Sequence, residues 1–444
     1  MKRWFLRGLA VLLVPLLLWL AVVMTGLLPH ISEEQAAAVS DMRSRPQQAI
    51  GERNAMELIW SLRHDVPVDH RADLLRADAE ALDAWRPADG EQPTSAAEGR
   101  YPPREAEDAP ELPGCDLDCL DKVRADTAAW RAALTARQSR LEALRGLAEF
   151  DHLHTPYRPT LSSPIPAFQH TGELQVAAAA LAFVDGDTDA ALDGLCRSLG
   201  DWRQLKGRSD MLIADMIVLA WQRRGAKLYA DIRAELPRDH PLPASCAIAF
   251  APPRVAERSA CDVWRTEFQL FDNAFRPEML DELDGEGPVA DWAMRWLLNH
   301  EATAAMLAPR FQSICRHAEL PLGDWQDNEA ELSCGWQQQL FNPVGCWMVN
   351  IATPNYRDYL RRDRDGEGIL HLLQLADWLA AQSDPGAAFE QRPESLRAFE
   401  QPVSFADGEL SLQLLQPRKG QDTHFRMALP GARYTPSTEE VPLQ

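Results

Sequence analysis

Four short constellations in this 444-residue chain carry residue types that bind metals or move protons elsewhere in protein chemistry. His300-Glu301 opens like a zinc-protease helix, but position 304, where the second imidazole belongs, is Ala. Asp151-His152-Leu153-His154 offers two imidazoles and a carboxylate; the Thr155, Pro156 and Tyr157 that follow suit a helix exit better than a ligand set. Asp185-Gly186-Asp187-Thr188-Asp189 starts like a calcium loop, yet Ala190 stands where such a loop needs glycine and Cys196 where it needs glutamate. Asp363-Arg364-Asp365-Gly366-Glu367 has the same weakness. The chain has no G-x-S-x-G elbow, no phosphate loop and no dinucleotide fingerprint. These spacings predict no metal and no cofactor, and they name no catalytic residue.

The eight cysteines are the other reactive set: Cys115, Cys119, Cys196, Cys246, Cys261, Cys315, Cys334 and Cys346. An even number, all beyond an N-terminal apolar run, points to disulfides in an oxidising compartment. Short loops close often in a denatured chain, which favours Cys246 with Cys261 and Cys334 with Cys346. Cys115 and Cys119 bridge each other or seek other partners. Cys196 falls on an apolar helical stripe and is expected to be buried and free.

The elements that must position these residues are mainly α. Residues 51–85 hold two helical stretches, and residues 120–150 carry Val123, Trp130, Leu134, Leu141, Leu144 and Leu147 at the spacing of one long amphipathic helix. Between them, residues 86–114 are rich in Pro, Glu, Ala and Gly and read as a loop or linker. Residues 173–236 predict four helices in two antiparallel helical hairpins, with Ser209 capping the third and Gly225 ending it. Further helices are expected at 288–308 and 369–381. Residues 403–405, 409–415 and 423–428 are separated by Asp407-Gly408 and residues 417–420 and predict a small C-terminal antiparallel β meander. The implied organisation is an anchor over 1–30, membrane-proximal helices over 31–85, the linker over 86–114, a helical domain over 115–395, and the meander and tail over 396–444.

Location follows from the first thirty residues. Lys2, Arg3 and Arg7 precede an uncharged run over residues 8–28, and Glu33 and Glu34 follow it. That run is long enough to span a hydrocarbon core of ~30 Å as a helix. The basic flank puts the N-terminus in the cytoplasm and the bulk of the chain in the periplasm, as a single-pass inner-membrane protein. No small-residue cleavage pattern follows the run, which favours a retained anchor over a cleaved signal peptide. The formal net charge of −21 disfavours nucleic acid as a partner.

Asn54-Ala55-Met56-Glu57-Leu58, Gly114-Cys115 with Cys119-Leu120, residues 205–216 (LKGRSDMLIADM), and Phe341-Asn342-Pro343-Val344-Gly345 followed by Pro354 and Tyr359-x-x-Arg362-x-x-Asp365 occur in this order. Together they resemble a loose group of uncharacterised proteobacterial proteins with one N-terminal anchor and a helical periplasmic region. The resemblance implies location and architecture and brings no assigned activity. Asn342-Pro343 suits a turn or helix start, and Gly345 permits close packing. Tyr359, Arg362 and Asp365 share one helical face. They form either a ligand rim or a tether between the helical body and the meander, and the tether is the preferred reading. The expected function is a non-enzymatic binding or scaffold module of the envelope, with a periplasmic protein or envelope component as partner. The alternatives are an envelope hydrolase assembled from distant groups such as His152, His154, His300 or Asp365, and a small-molecule or lipid carrier.

Overall fold

The computed structural model describes residues 13, 14, 17–19, 21, 22, 29–44, 53–86, 90–166, 168, 170–251, 261–276, 297–325, 334–352, 356–397, 400–417 and 422–433. A Ser32/Gln35 capping box opens α1 (Glu33–Arg43), and α2 (Met56–Ser61) and α3 (Val68–Ala84) follow. The expected single helix over 120–150 is instead α4 (Cys119–Ala125), α5 (Thr127–Thr135) and α6 (Gln138–Leu144). The break has a physical cause: Asp126 leaves helical backbone at φ −144° and its carboxylate accepts from the Ala129 amide, starting a new helix.

Next come α7 (Thr171–Val184), α8 (Thr188–Lys206) and α9 (Leu212–Glu235). Asp187 caps α8 through the Ala190 amide, so the calcium-like run is a helix start. The two predicted hairpins are corrected to three antiparallel helices, because α9 runs unbroken through Gly225. A Cβ there would lie 2.8 Å from Leu199 Cδ2, so this glycine lets α8 and α9 cross closely and does not end a helix. Ser209 does not cap α9 as predicted, since its N-cap is Met211; the Ser209 hydroxyl accepts from the Met211 amide.

The remaining helices are α10 (Ala244–Ala249), α11 (Cys261–Ala274), α12 (His300–Glu319), α13 (Trp336–Phe341), α14 (Pro343–Ala352), α15 (Tyr356–Ala380) and α16 (Pro385–Glu390). Of the helix expected at 288–308, residues 288–296 lie outside the described residues; the described part starts at His300, capped by Asn299, and continues through Pro309. The segment expected at 369–381 is the second half of α15. Three strands, β1 (Val403–Ala406), β2 (Glu409–Gln413) and β3 (His424–Ala428), form the antiparallel meander in the order β1-β2-β3. Asp407 and Gly408 both take positive φ in the first turn, as a tight hairpin demands. Leu410, Leu412, Phe425 and Met427 alternate inward against α9 and α15.

Two apolar cores result. The larger joins α2–α10, part of α15, α16 and the meander around Trp130, Trp202, Tyr229, Leu372 and Leu410. The smaller joins α1, α11, α12, α14 and the start of α15 around Trp264, Phe268, Phe311 and Tyr356. α15 runs through both, and Arg364 on it donates to the Ala318 and Leu320 carbonyls at the C-terminal end of α12.

Four disulfides follow this partition: Cys115–Cys119, Cys196–Cys246, Cys261–Cys315 and Cys334–Cys346. The expected Cys246–Cys261 bridge is corrected. Cys246 on α10 packs onto α8 in the larger core, whereas Cys261 opens α11 beside α12. Proximity in sequence yields to membership of different cores. Cys196 is buried as expected, but paired. Among the described residues no helix is long and apolar enough to cross a membrane; most of the uncharged run 8–28 lies outside them.

Candidate functional site

The residues first considered for chemistry serve structure. His152 and His154 stack edge to face at 5.0 Å in a buried knot, where Ala55 N donates to the His152 carbonyl and the Asn54 amide group donates to that of His154. Burial, then neighbouring His154, pushes the His152 imidazole down to about 4. Asp151 pairs with Arg53 at 3.1 Å and does not join the imidazoles. His300 bonds Asp272 at 3.0 Å in the smaller core. Among the described residues no cluster of three or more His, Cys, Asp or Glu side chains has metal-binding geometry.

Asn342, Pro343 and Gly345 form a junction. The buried Asn342 carbonyl oxygen accepts from the Asn299 amide at 2.8 Å, while its NH2 donates to the Thr303 hydroxyl at 3.0 Å. Pro343 starts α14, and a Cβ on Gly345 would stand 2.1 Å from Thr303 Oγ1. This locks the α13–α14 turn onto the N-terminus of α12.

The Tyr359, Arg362 and Asp365 face divides between the two readings. Asp365 is a tether: its carboxylate accepts from the Leu415 and Gln416 amides at 2.7 and 3.0 Å, just past β2, and Gln401 approaches it at 3.4 Å. Burial raises its pKa against the pull of those donors. Tyr359 packs with Tyr356 at 6.2 Å. Arg362 lies over the Tyr359 ring at 5.5 Å, and its buried Nε has no hydrogen-bond partner among the described residues. Its side chain lines a cleft of about 590 Å³.

That cleft opens between the Cys115–Cys119 loop, α9, α15 and the end of β2. Leu117, Met216, Leu219, Ala220, Ile369 and Leu414 supply its apolar floor. Lys122, Arg223, Arg224 and Arg362 bring four cations against the carboxylates of Asp116, Asp118 and Asp365. The carboxylates are engaged. Asp116 meets Arg224 at 3.0 Å, and Asp118 meets Lys122 at 2.9 Å, a contact that raises the Lys122 pKa. Asp365 is held by backbone amides. Behind the cleft wall, Lys206 pairs with Asp363 near Asp215. Burial pushes Asp215 up to about 7 despite Lys206, and burial opposes the Lys206 charge less than Asp363 and Asp215 support it.

The cleft can hold a small molecule with an apolar body and an anionic group, the latter within reach of guanidinium donors. Sequence reasoning found Arg362 and Asp365 but missed Lys122, Arg223 and Arg224. The adjacent Arg223-Arg224 pair beside Trp221, in a helix otherwise built for burial, was the available signal. Comparison with protein-family models, curated proteins and solved structures finds no significant match, so the site stands on its own geometry.

Proposed function

We propose that this chain is a membrane-anchored extracytoplasmic binding protein, retained by residues 8–28, whose cleft takes a small anionic amphiphile. The cleft carries the reading: an apolar floor bordered by Lys122, Arg223, Arg224 and Arg362, with the buried Arg362 Nε lacking a hydrogen-bond partner among the described residues, in a chain with a formal net charge of −21. Anions bind there against the overall field of the protein, so the local donors decide affinity. The reading favours a binding or carrier role over hydrolysis, since the His152–His154 pair, His300 and Asp365 belong to three separate structural networks.

Titration of the full chain in lipid nanodiscs with hexyl phosphate and with hexanoate tests it. Saturable binding is expected, unchanged in Arg426→Gln on the exposed sheet and weaker by about tenfold or more in Arg362→Gln. Absence of saturable binding, or equal binding by both variants, overturns it.

A further inference from the structure

We infer that α13 and α14 form a membrane-seated helical turn, reaching from the outer bilayer interface into the outer leaflet beside the N-terminal anchor. From Leu332 to Tyr356 the sequence has no charged residue, in a chain that is 25% charged. Three large apolar side chains on this turn face solvent: Trp336 is 65% exposed, Leu340 48% and Trp347 63%. They are not the outside of a loosely folded segment. The Asn342–Thr303 bonds and the Cys334–Cys346 bridge fix the turn, and Val349 is fully buried against the smaller core while Trp347, two residues earlier, points away. The occupant of that outer face is indicated by Trp19, whose indole N–H donates to the Leu340 carbonyl at 2.9 Å. Trp19 lies within the uncharged run 8–28, nine residues or about 14 Å of helix from its outer end, so the turn reaches into the outer leaflet alongside the segment that crosses the bilayer. Tryptophan favours the bilayer interface because its ring is apolar and its N–H is polar, and uncharged short helices tolerate that depth. A lipid surface fits; a second protein is not needed to cover the patch.

The inference rests on the proposed anchorage, and one experiment separates the two. The full chain is reconstituted into phosphatidylcholine vesicles containing a phospholipid with a diazirine in its acyl chain, irradiated, and mapped by peptide mass spectrometry. Lipid adducts are expected on residues 8–28 and on 336–347, the latter roughly tenfold above Leu161 and Ile248, which are even more exposed apolar residues elsewhere. Adducts on 8–28 with none on 336–347, or yields at 336–347 no higher than at Ile248, overturn the inference and leave the anchorage standing. Adducts on neither segment overturn both. A Trp336→Gln/Trp347→Gln variant keeps the disulfide and the Asn342 junction, and it should lose the Leu340 adducts while retaining those on 8–28.

Discussion

The two cores are built by different means. The centre of the larger one is local: α7, α8 and α9 pack consecutively, and glycines let the helices approach, while α15 and the meander add to it from far along the chain. A Cβ on Gly172 would lie 2.2 Å from the Trp221 ring, and one on Gly225 would press on Leu199. In the smaller core the partners come from far apart. α1 packs against α11 and α12, although more than two hundred residues separate Arg43 from Asp272. Such a region must offset a large loop-closure entropy, and it uses aromatic area, a charged network and a disulfide to do so. Both cores carry cross-links and ring pairs; they differ in that one has a locally packed centre and the other must draw α1 in from across the chain.

The largest expected effect that would break this contrast is at Phe311. It is fully buried and its ring neighbours Phe268, Phe271 and Tyr356 at 5.9, 6.3 and 5.0 Å. Phe311→Ala should cost about 3–5 kcal/mol by emptying that cluster. Hydrogen exchange should then accelerate in α1, α11 and α12 and stay slow in α7–α9. Uniform acceleration through both cores would show that they do not open separately.

A second test removes a cross-link from each core. Cys261→Ala/Cys315→Ala and Cys196→Ala/Cys246→Ala delete bridges closing similar loops, of 54 and 50 residues. Chain entropy alone predicts similar losses, about 2–4 kcal/mol each. The contrast predicts more: proteolysis should enter α1 and α11 in the first variant and remain local to α10 in the second. Peptide mapping of the non-reduced protein checks the pairings beforehand.

A smaller effect sharpens the account of the larger core. Gly225→Ala should destabilise it by roughly 1–3 kcal/mol, because the new methyl overpacks Leu199 despite Ala being the better helix former. Denaturant midpoints decide between the signs, and stabilisation would mean that Gly225 is tolerated only for want of selection against it.

Legibility in the sequence followed the same division. Helices α7 and α8 and the three strands stood out because period and turn chemistry are local signals. Gly225 misled because a glycine that ends a helix and one that admits a neighbour look alike until Leu199 is placed. Asp126 misled because its capping role depends on backbone that periodicity does not record. In the smaller core almost nothing was readable. No pattern in residues 33–43 announces α11 and α12 as partners, and loop length alone chose Cys261's partner wrongly. The site was half legible. Arg362 and Asp365 shared a visible face, while Lys122, Arg223 and Arg224 came together only through the crossing of α4 and α9.

The smallest expected effect is the titration of the smaller core's charged network. Asp272 receives Arg43 at 2.8 Å and His300 at 3.0 Å, with Arg276 at 3.8 Å and Glu301 bonded to the other side of Arg43. Burial opposes the Asp272 charge, but the His300 and Arg43 hydrogen bonds outweigh it and hold the carboxylate down to about 2. Burial likewise opposes protonated His300, and Asp272 prevails and raises it. A histidine raised on folding contributes fully below its ordinary value near 6.5, and that contribution fades as pH rises through the higher folded value. The depressed carboxylate contributes above about 4 and fades as pH falls through 2. The network is therefore strongest from about pH 4 to 6.5. Burial also raises Glu267 and Asp215 to about 7, so the whole-protein pH curve mixes several groups. Subtracting a His300→Gln variant cancels them. The stability advantage of the native chain over that variant should be largest near pH 5 and shrink as pH rises past the folded His300 value, by about 1 kcal/mol or less for a partly solvated pair. Thermal unfolding of both proteins at pH 5 and pH 8.5 measures it, and an advantage equal at the two pH values would show that His300 holds α12 to α11 as a neutral hydrogen-bonding group.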